Sequence, residues 1–195
     1  MASGDWPVVG RGLLATDHRP LTTDHWYRRR STVRLAVMSD SHDNIWKLDR
    51  AGEAIASAEA VIHCGDICSP FMIRRLGELA GDRPVHIVWG NNDGDPLLIQ
   101  KVASGFPSIH LHGQLAEVEL GGLRVAVNHY PVIARGLARS GDYDLVCYGH
   151  DHIRYEGKEG DCLLLNPGEL MGLKGPSSLA ILDTASRKVS FVEFP

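Results

Sequence analysis

Five short apolar runs in this chain each stop at a side chain that can bind a metal ion through oxygen or imidazole nitrogen. The run 33–38 leads into Asp40 and His42, 60–62 into Asp66, 85–89 into Asn91, 125–127 into His129, and 145–148 into His150 and His152. Strands buried on both faces read as near-continuous apolar runs, and ligands of such sheets collect just beyond the carboxyl ends of the strands. Seven side chains far apart in sequence are therefore expected to meet in one crevice. This pattern favours α/β architectures in which several strands run the same way.

The remaining texture narrows the fold. After residue 33, strand-like and helix-like stretches alternate, as they do in parallel crossover units. Asp43 reads as an N-cap for a helix over 45–58, with Ile45, Leu48, Ala51, Ile55 and Ala58 at helical spacing. Further helices are expected over 71–79, 96–102 and 132–138, with Pro70, Pro96 and Pro131 at or near their starts. Residues 115–120 and 123–127, joined by Gly121-Gly122, read as a hairpin, and 162–165, 179–182 and 188–191 as later strands. Together these predict an α/β fold, a two-sheet β-sandwich flanked by helices.

With 195 residues, of which 44% are hydrophobic and 23% charged, the chain suits one domain with a sizeable core. Residues 1–31 lack apolar periodicity and end near Arg28-Arg29-Arg30, so they are read as an N-terminal extension, flexible or docking, ahead of a domain over 32–195. The formal net charge of -4 gives no bulk attraction to nucleic acid or to an anionic membrane. No span approaches the roughly 20 apolar residues of a membrane helix, and the amino terminus lacks a secretory leader pattern. The four cysteines Cys64, Cys68, Cys147 and Cys162 form no Cys-x-x-Cys pair. The expectation is a reduced, cytoplasmic protein without membrane or nucleic-acid partners.

The candidate ligands have complementary chemistry. Asp40 and His42, spaced i and i+2, can offer a carboxylate oxygen and an imidazole nitrogen to one ion, and His150 and His152 repeat the spacing. Asp66 follows a glycine that lets the backbone turn tightly, and its two oxygens can bridge ions held about 3.5–4 Å apart, as two-metal catalysis requires. Asn91 adds a neutral carbonyl oxygen and His129 another imidazole. A single Gly-Asp or Gly-Asn pair is usually only a turn. The joint placement of two Asp, one Asn and four His after buried strands is what favours a two-metal hydrolytic site. His63 and His86 sit inside apolar runs and are read as packing residues, whereas His110 and His112 receive no assignment.

On these residues the chain resembles the calcineurin-like metallophosphoesterase superfamily, in its small bacterial and archaeal single-domain phosphodiesterase branch. The blocks that carry the resemblance are Ser39-Asp40-Ser41-His42, Gly65-Asp66, Gly90-Asn91-Asn92-Asp93, Asn128-His129 and Gly149-His150-Asp151-His152. It implies a metallophosphoesterase domain over 32–195 with two divalent metal ions, Mn²⁺ first and Fe, Zn²⁺ or Ni²⁺ as alternatives. One ion would use Asp40, His42, Asp66 and His152, and the other Asp66, Asn91, His129 and His150. The implied reaction is hydrolysis of a small phosphate ester by a metal-bridging hydroxide, with Asp66, Asn91, His129 and Asp93 as catalytic residues and Asp93 as an orienting group. A homo-oligomer is compatible with this reading, since a neighbouring subunit would narrow an open groove.

Two departures bear on substrate. Where the superfamily's monoesterases carry a proton-donating His after the motif asparagine, this chain has Asn92, which favours phosphodiesters with good leaving groups. After Asn166-Pro167-Gly168, where the family commonly has a small hydroxyl residue, this chain has Glu169. The alternative to an enzyme is a protein-interaction scaffold of the same fold.

Overall fold

The computed structural model describes residues 32–195, so the extension expected over 1–31 lies outside the described residues. Two mixed sheets pack face to face. The first is built from β1 (Arg34–Met38), β2 (Ala60–His63), β3 (Val85–Ile87), β4 (Ile109–Leu111), β10 (Ser177–Asp183) and β11 (Lys188–Phe194), in the order β11-β10-β1-β2-β3-β4. The second comprises β5 (Ala116–Leu120), β6 (Leu123–Val127), β7 (Leu145–Cys147), β8 (Tyr155–Glu159) and β9 (Cys162–Asn166), in the order β5-β6-β7-β9-β8. β1 to β4 pair in parallel, as do β6, β7 and β9, so the carboxyl ends of the run-terminating strands fall on common edges.

Alternation along the strands sorts the apolar side chains into layers. Leu35, Val37, Ala60 and Ile62 from the first sheet meet Val125, Val127, Leu145 and Leu165 from the second in a core between the sheets. Ala36, Met38, Val61 and Val85 point the other way, under α1 (Ile45–Arg50), α2 (Gly52–Ala56), α3 (Pro70–Ala80) and α4 (Pro96–Ala103). On the far side, α5 (Pro131–Arg139) covers Ala126, Val146 and Leu164. Burial on both faces explains why these strands lack a polar alternation. No helix among the described residues is long and apolar enough to cross a membrane.

Local differences from expectation have physical causes. The helix expected over 45–58 is two helices that meet at Ala51, immediately before Gly52, and glycine is a poor helix former. Its N-cap is Asn44, whose side chain accepts from the Lys47 amide at 3.2 Å, and not Asp43. β8 escapes the apolar pattern because Tyr155-Glu156-Gly157-Lys158-Glu159 forms a charged edge strand, paired only to β9.

Candidate metal centre

The loops that leave β1, β2, β3, β6 and β7 carry the seven candidate ligands. Five of them adopt left-handed backbone: Asp40 (φ 51°), His42 (39°), Asp66 (56°), His150 (76°) and His152 (63°). Non-glycine residues in that region cost about 1–3 kcal/mol each and persist where surrounding structure holds them in place. Here the restraint is a mesh of amides. The Asp40 N–H donates to the Gly65 carbonyl and the His42 N–H to that of Asp66, both at 3.1 Å, which ties the first two loops together.

Two glycines allow the loops to close on one another. Gly65 has φ +101°, and a Cβ there would stand 2.7 Å from His129 Nδ1. At Gly149 a Cβ would fall 1.9 Å from Ser39 Oγ and 2.6 Å from Asp40 Oδ2, so any side chain would displace the Asp40 loop.

All seven side chains come together. His42 Nε2 lies 3.7 Å from Asp40 Oδ1 and 3.5 Å from Asp66 Oδ2, while His152 Nε2 is 3.3 Å from Asp40 Oδ1. On the other side of Asp66, His129 Nε2 is 3.5 Å from Oδ2. Asn91 Oδ1 sits between His129 Nε2 at 3.1 Å and His150 Nδ1 at 2.8 Å. Asp40, His42 and His152 converge closely enough to share one ion, as do Asp40, Asp66 and His129. Asn91 and His150, which the resemblance adds to the second ion, cluster with His129 through the Asn91 carbonyl oxygen.

The donor set fits a cation. Among the described residues, the buried side-chain atoms without a hydrogen-bond partner are Ser39 Oγ, Asp40 Oδ1 and His42 Nε2, all in this crevice. Buried polar atoms are nearly always satisfied. A carboxylate oxygen and an imidazole nitrogen left facing each other, too far apart at 3.7 Å to bond, leave a gap that a shared cation would fill.

Electrostatics point the same way. Burial pushes the Asp66 carboxyl upward, but His129 and the Asn92 donors outweigh it and hold the group well below the usual carboxylate range. Burial likewise works upward on Asp40, and attraction to His42 reverses it. The Asp40 carboxylate raises His42, while His129, pushed down by burial, is raised on balance by Asp66. Both aspartates are thus anions that favour positive charge beside them.

Supporting residues orient this set. Asp93 does not face the cluster: its carboxylate accepts from the amides of Asp66 at 3.1 Å, Cys68 at 2.7 Å and Gly90 at 2.6 Å, which knits the β2 and β3 loops together. His129 donates through Nδ1 to the Cys64 carbonyl at 2.8 Å, leaving Nε2 to face Asp66 and Asn91. Asn92 donates from its backbone N–H and side chain to the two Asp66 oxygens, at 2.8 and 2.7 Å. Glu169, only 1% exposed, accepts from His152 Nδ1 at 2.7 Å through one oxygen and from the amides of Lys174 and Gly175 through the other. Its sequence signal was only a departure from a motif. His63, expected as a packing residue, is buried and bonds Ser41 Oγ at 3.0 Å while its Nδ1 accepts from the Gly65 N–H at 3.3 Å, so it also ties the β1 and β2 loops together.

A two-sheet α/β sandwich with Asp, Asn and His loops at its parallel strand ends defines a metallohydrolase class. The chain belongs to the calcineurin-like phosphoesterase superfamily, whose domain profile matches residues 33–187, and to its small archaeal and bacterial branch. The phosphodiesterase MJ0936 of Methanocaldococcus jannaschii is 31% identical over 161 residues, spanning 80% of this chain and 96% of that protein. The solved structure of an archaeal phosphodiesterase superposes with a TM-score of 0.76 at 30% identity, covering 83% of this chain and 99% of that one. Vacuolar Protein Sorting 29 from Cryptosporidium parvum shares the fold at a TM-score of 0.60 and 18% identity, over 84% of this chain and 98% of that one.

Proposed function

We propose that this protein hydrolyses phosphodiesters at a dinuclear centre held by Asp40, His42, Asp66, Asn91, His129, His150 and His152, with Asp66 as the shared ligand. The observation that carries the reading is the pair of unbonded buried atoms, Asp40 Oδ1 and His42 Nε2, within a cluster of anionic carboxylates and imidazoles. Two divalent ions bound there, Mn²⁺ by ligand preference, would supply Lewis acidity towards the phosphoryl oxygens and would make water nucleophilic near neutral pH.

The chain's own residues do the rest. Asp40 and Asp66 leave the centre net positive once it is loaded, which selects anionic phosphate esters over neutral ones. Asp93 and Glu169 hold the ligand loops without touching the reacting atoms, so they act as positioning residues. Asn92 stands beside Asp66 as a hydrogen-bond donor, and its amide cannot protonate a departing alkoxide. Esters whose leaving group is stable as an anion suit such a site. Exposed apolar side chains near the starts of the following helices, Trp46, Phe71, Leu97 and Val132, offer contacts for an apolar ester group at the same end of the sheets. The complete ligand set favours turnover over a scaffold role. All four cysteines are free, which supports a reducing compartment such as the cytoplasm.

Kinetics of the Mn²⁺-loaded protein test the substrate class. kcat/KM for a bis-aryl phosphodiester is expected to exceed that for an alkyl phosphomonoester by at least about 100-fold, the range that lost general-acid assistance spans. Equal or reversed preference would contradict the diester reading, and no turnover of either would contradict hydrolysis itself.

A further inference from the structure

Two cationic side chains stand beside the metal centre without belonging to it. The loop from β7 to β8 runs on from His152 into Ile153 and Arg154, and the loop from β9 to β10 sets Gly168 and Lys174 against them around a cleft of about 320 Å³. His152 belongs to both places. Its Nε2 faces Asp40 Oδ1 at 3.3 Å, and the same residue lines the cleft. A substrate bound through its phosphoryl group at the metals therefore has room to extend past His152. The volume is at the low end for a ligand pocket, which suits one substituent of an ester and not a whole molecule.

The fold places the charge in this cleft. A Cβ at Gly168, where φ is +80°, would lie 2.7 Å from Arg154 Cγ, so glycine there leaves room for the arginine stem. The guanidinium lies over the Phe191 ring, 5.7 Å from its centroid, and Nη1 donates to Glu193 Oε1 at 2.6 Å. That pair engages one nitrogen of a group with five N–H donors and leaves an edge for a second anion. Lys174 is held by its backbone, whose N–H donates to Glu169, while its exposed ammonium has no hydrogen bond or ion pair among the described residues. Lys47, Arg135 and Arg139, on helices that follow ligand loops, are engaged elsewhere: Lys47 Nζ donates to the Phe194 carbonyl at 3.2 Å, and the two arginines reach Glu159 at 3.5 and 3.0 Å. Glu169 is buried under the loop with both oxygens committed to His152 and to two amides, so neither competes for the two cations.

We propose that this cleft is a subsite for a second, terminal phosphate on the substrate, held by Arg154 and Lys174. The proposal rests on the hydrolytic reading of the metal centre and narrows it to diesters that carry a further anion on the substituent facing His152. A terminal phosphate offers three acceptor oxygens, enough to meet the guanidinium edge and the ammonium at once. Arg154, already pinned by Gly168, Phe191 and Glu193, loses little freedom on binding it.

Two aryl diesters with the same p-nitrophenyl leaving group test this on the Mn²⁺-loaded full chain, one with a propyl group as its second substituent and the other with a phosphonopropyl group. Chemistry at phosphorus is the same in both, so the ratio of their kcat/KM values reads the distal contact. The phosphonopropyl ester is expected to be preferred by about tenfold or more, the factor that one hydrogen bond to a charged group contributes. Lys174→Ala and Arg154→Ala should each move that ratio towards one, and Lys174→Arg should keep it. Lys174 is exposed, so its replacement reads the subsite even if Arg154→Ala disturbs the contact with β11. A wild-type ratio near one, or a preference that survives both alanine variants, would overturn the subsite and leave hydrolysis standing. Absence of turnover of both esters would instead overturn the hydrolytic reading, and this proposal with it.

Discussion

Replacing Asp66 with Asn is expected to lower kcat/KM by on the order of a thousandfold or more, about 4 kcal/mol of transition-state stabilisation, while the fold survives. The Asp66 carboxylate faces His42 and His129 at 3.5 Å each, so it lies between the two ligand groups. It also accepts from both donors of Asn92. An amide in its place has one acceptor oxygen, turns an N–H₂ towards a donor and removes a negative charge from the centre. Either ion loses a ligand, so metal affinity should fall at both positions. β2 and the apolar layers on either side do not depend on this side chain, and the melting transition should stay cooperative. Turnover, bound metal and thermal melting measured on one preparation check this. Near-normal turnover would show that Asp66 is not the shared ligand.

The second large effect is expected at Glu169, which sequence alone marked only as an anomaly. One carboxylate oxygen fixes the His152 ring by accepting from Nδ1, so that Nε2 faces Asp40. The other holds the amides of Lys174 and Gly175, which line a cleft of about 320 Å³ beside His152, Ile153 and Arg154. Glutamine has one acceptor oxygen where glutamate has two. Glu169→Gln must leave either His152 or the cleft loop without its acceptor. Loss of such an outer partner typically costs 10–100-fold in metal affinity, so a titration with Mn²⁺ should show one site weakened by about that factor and the other little changed. Unchanged Mn²⁺ affinity with a lowered melting temperature would assign Glu169 a purely structural role.

The strand framework was legible because β1, β2, β3, β6 and β7 are covered on both faces, which writes each as an apolar run with a polar stop. The convergence of the seven candidate side chains was legible for the same reason, since the end of a run fixes which loop a side chain enters. What sequence could not show were relations set by tertiary register. The pairing of His86 with His110 depends on which strands become neighbours, and the reach of Glu169 to His152 depends on how the β9–β10 loop folds back. Asp93 was expected to orient the centre, but its grip on three amides of two loops appears only once those loops meet. The break at Ala51 was also hidden, because the apolar positions on either side keep helical spacing across it.

The most direct measurement is anomalous diffraction from crystals of the full chain loaded with Mn²⁺. Two peaks about 3.5–4 Å apart are expected, one against Asp40, His42 and His152, the other against Asn91, His129 and His150, with Asp66 between them. A single peak, or none among these side chains at saturating Mn²⁺, would contradict the dinuclear centre.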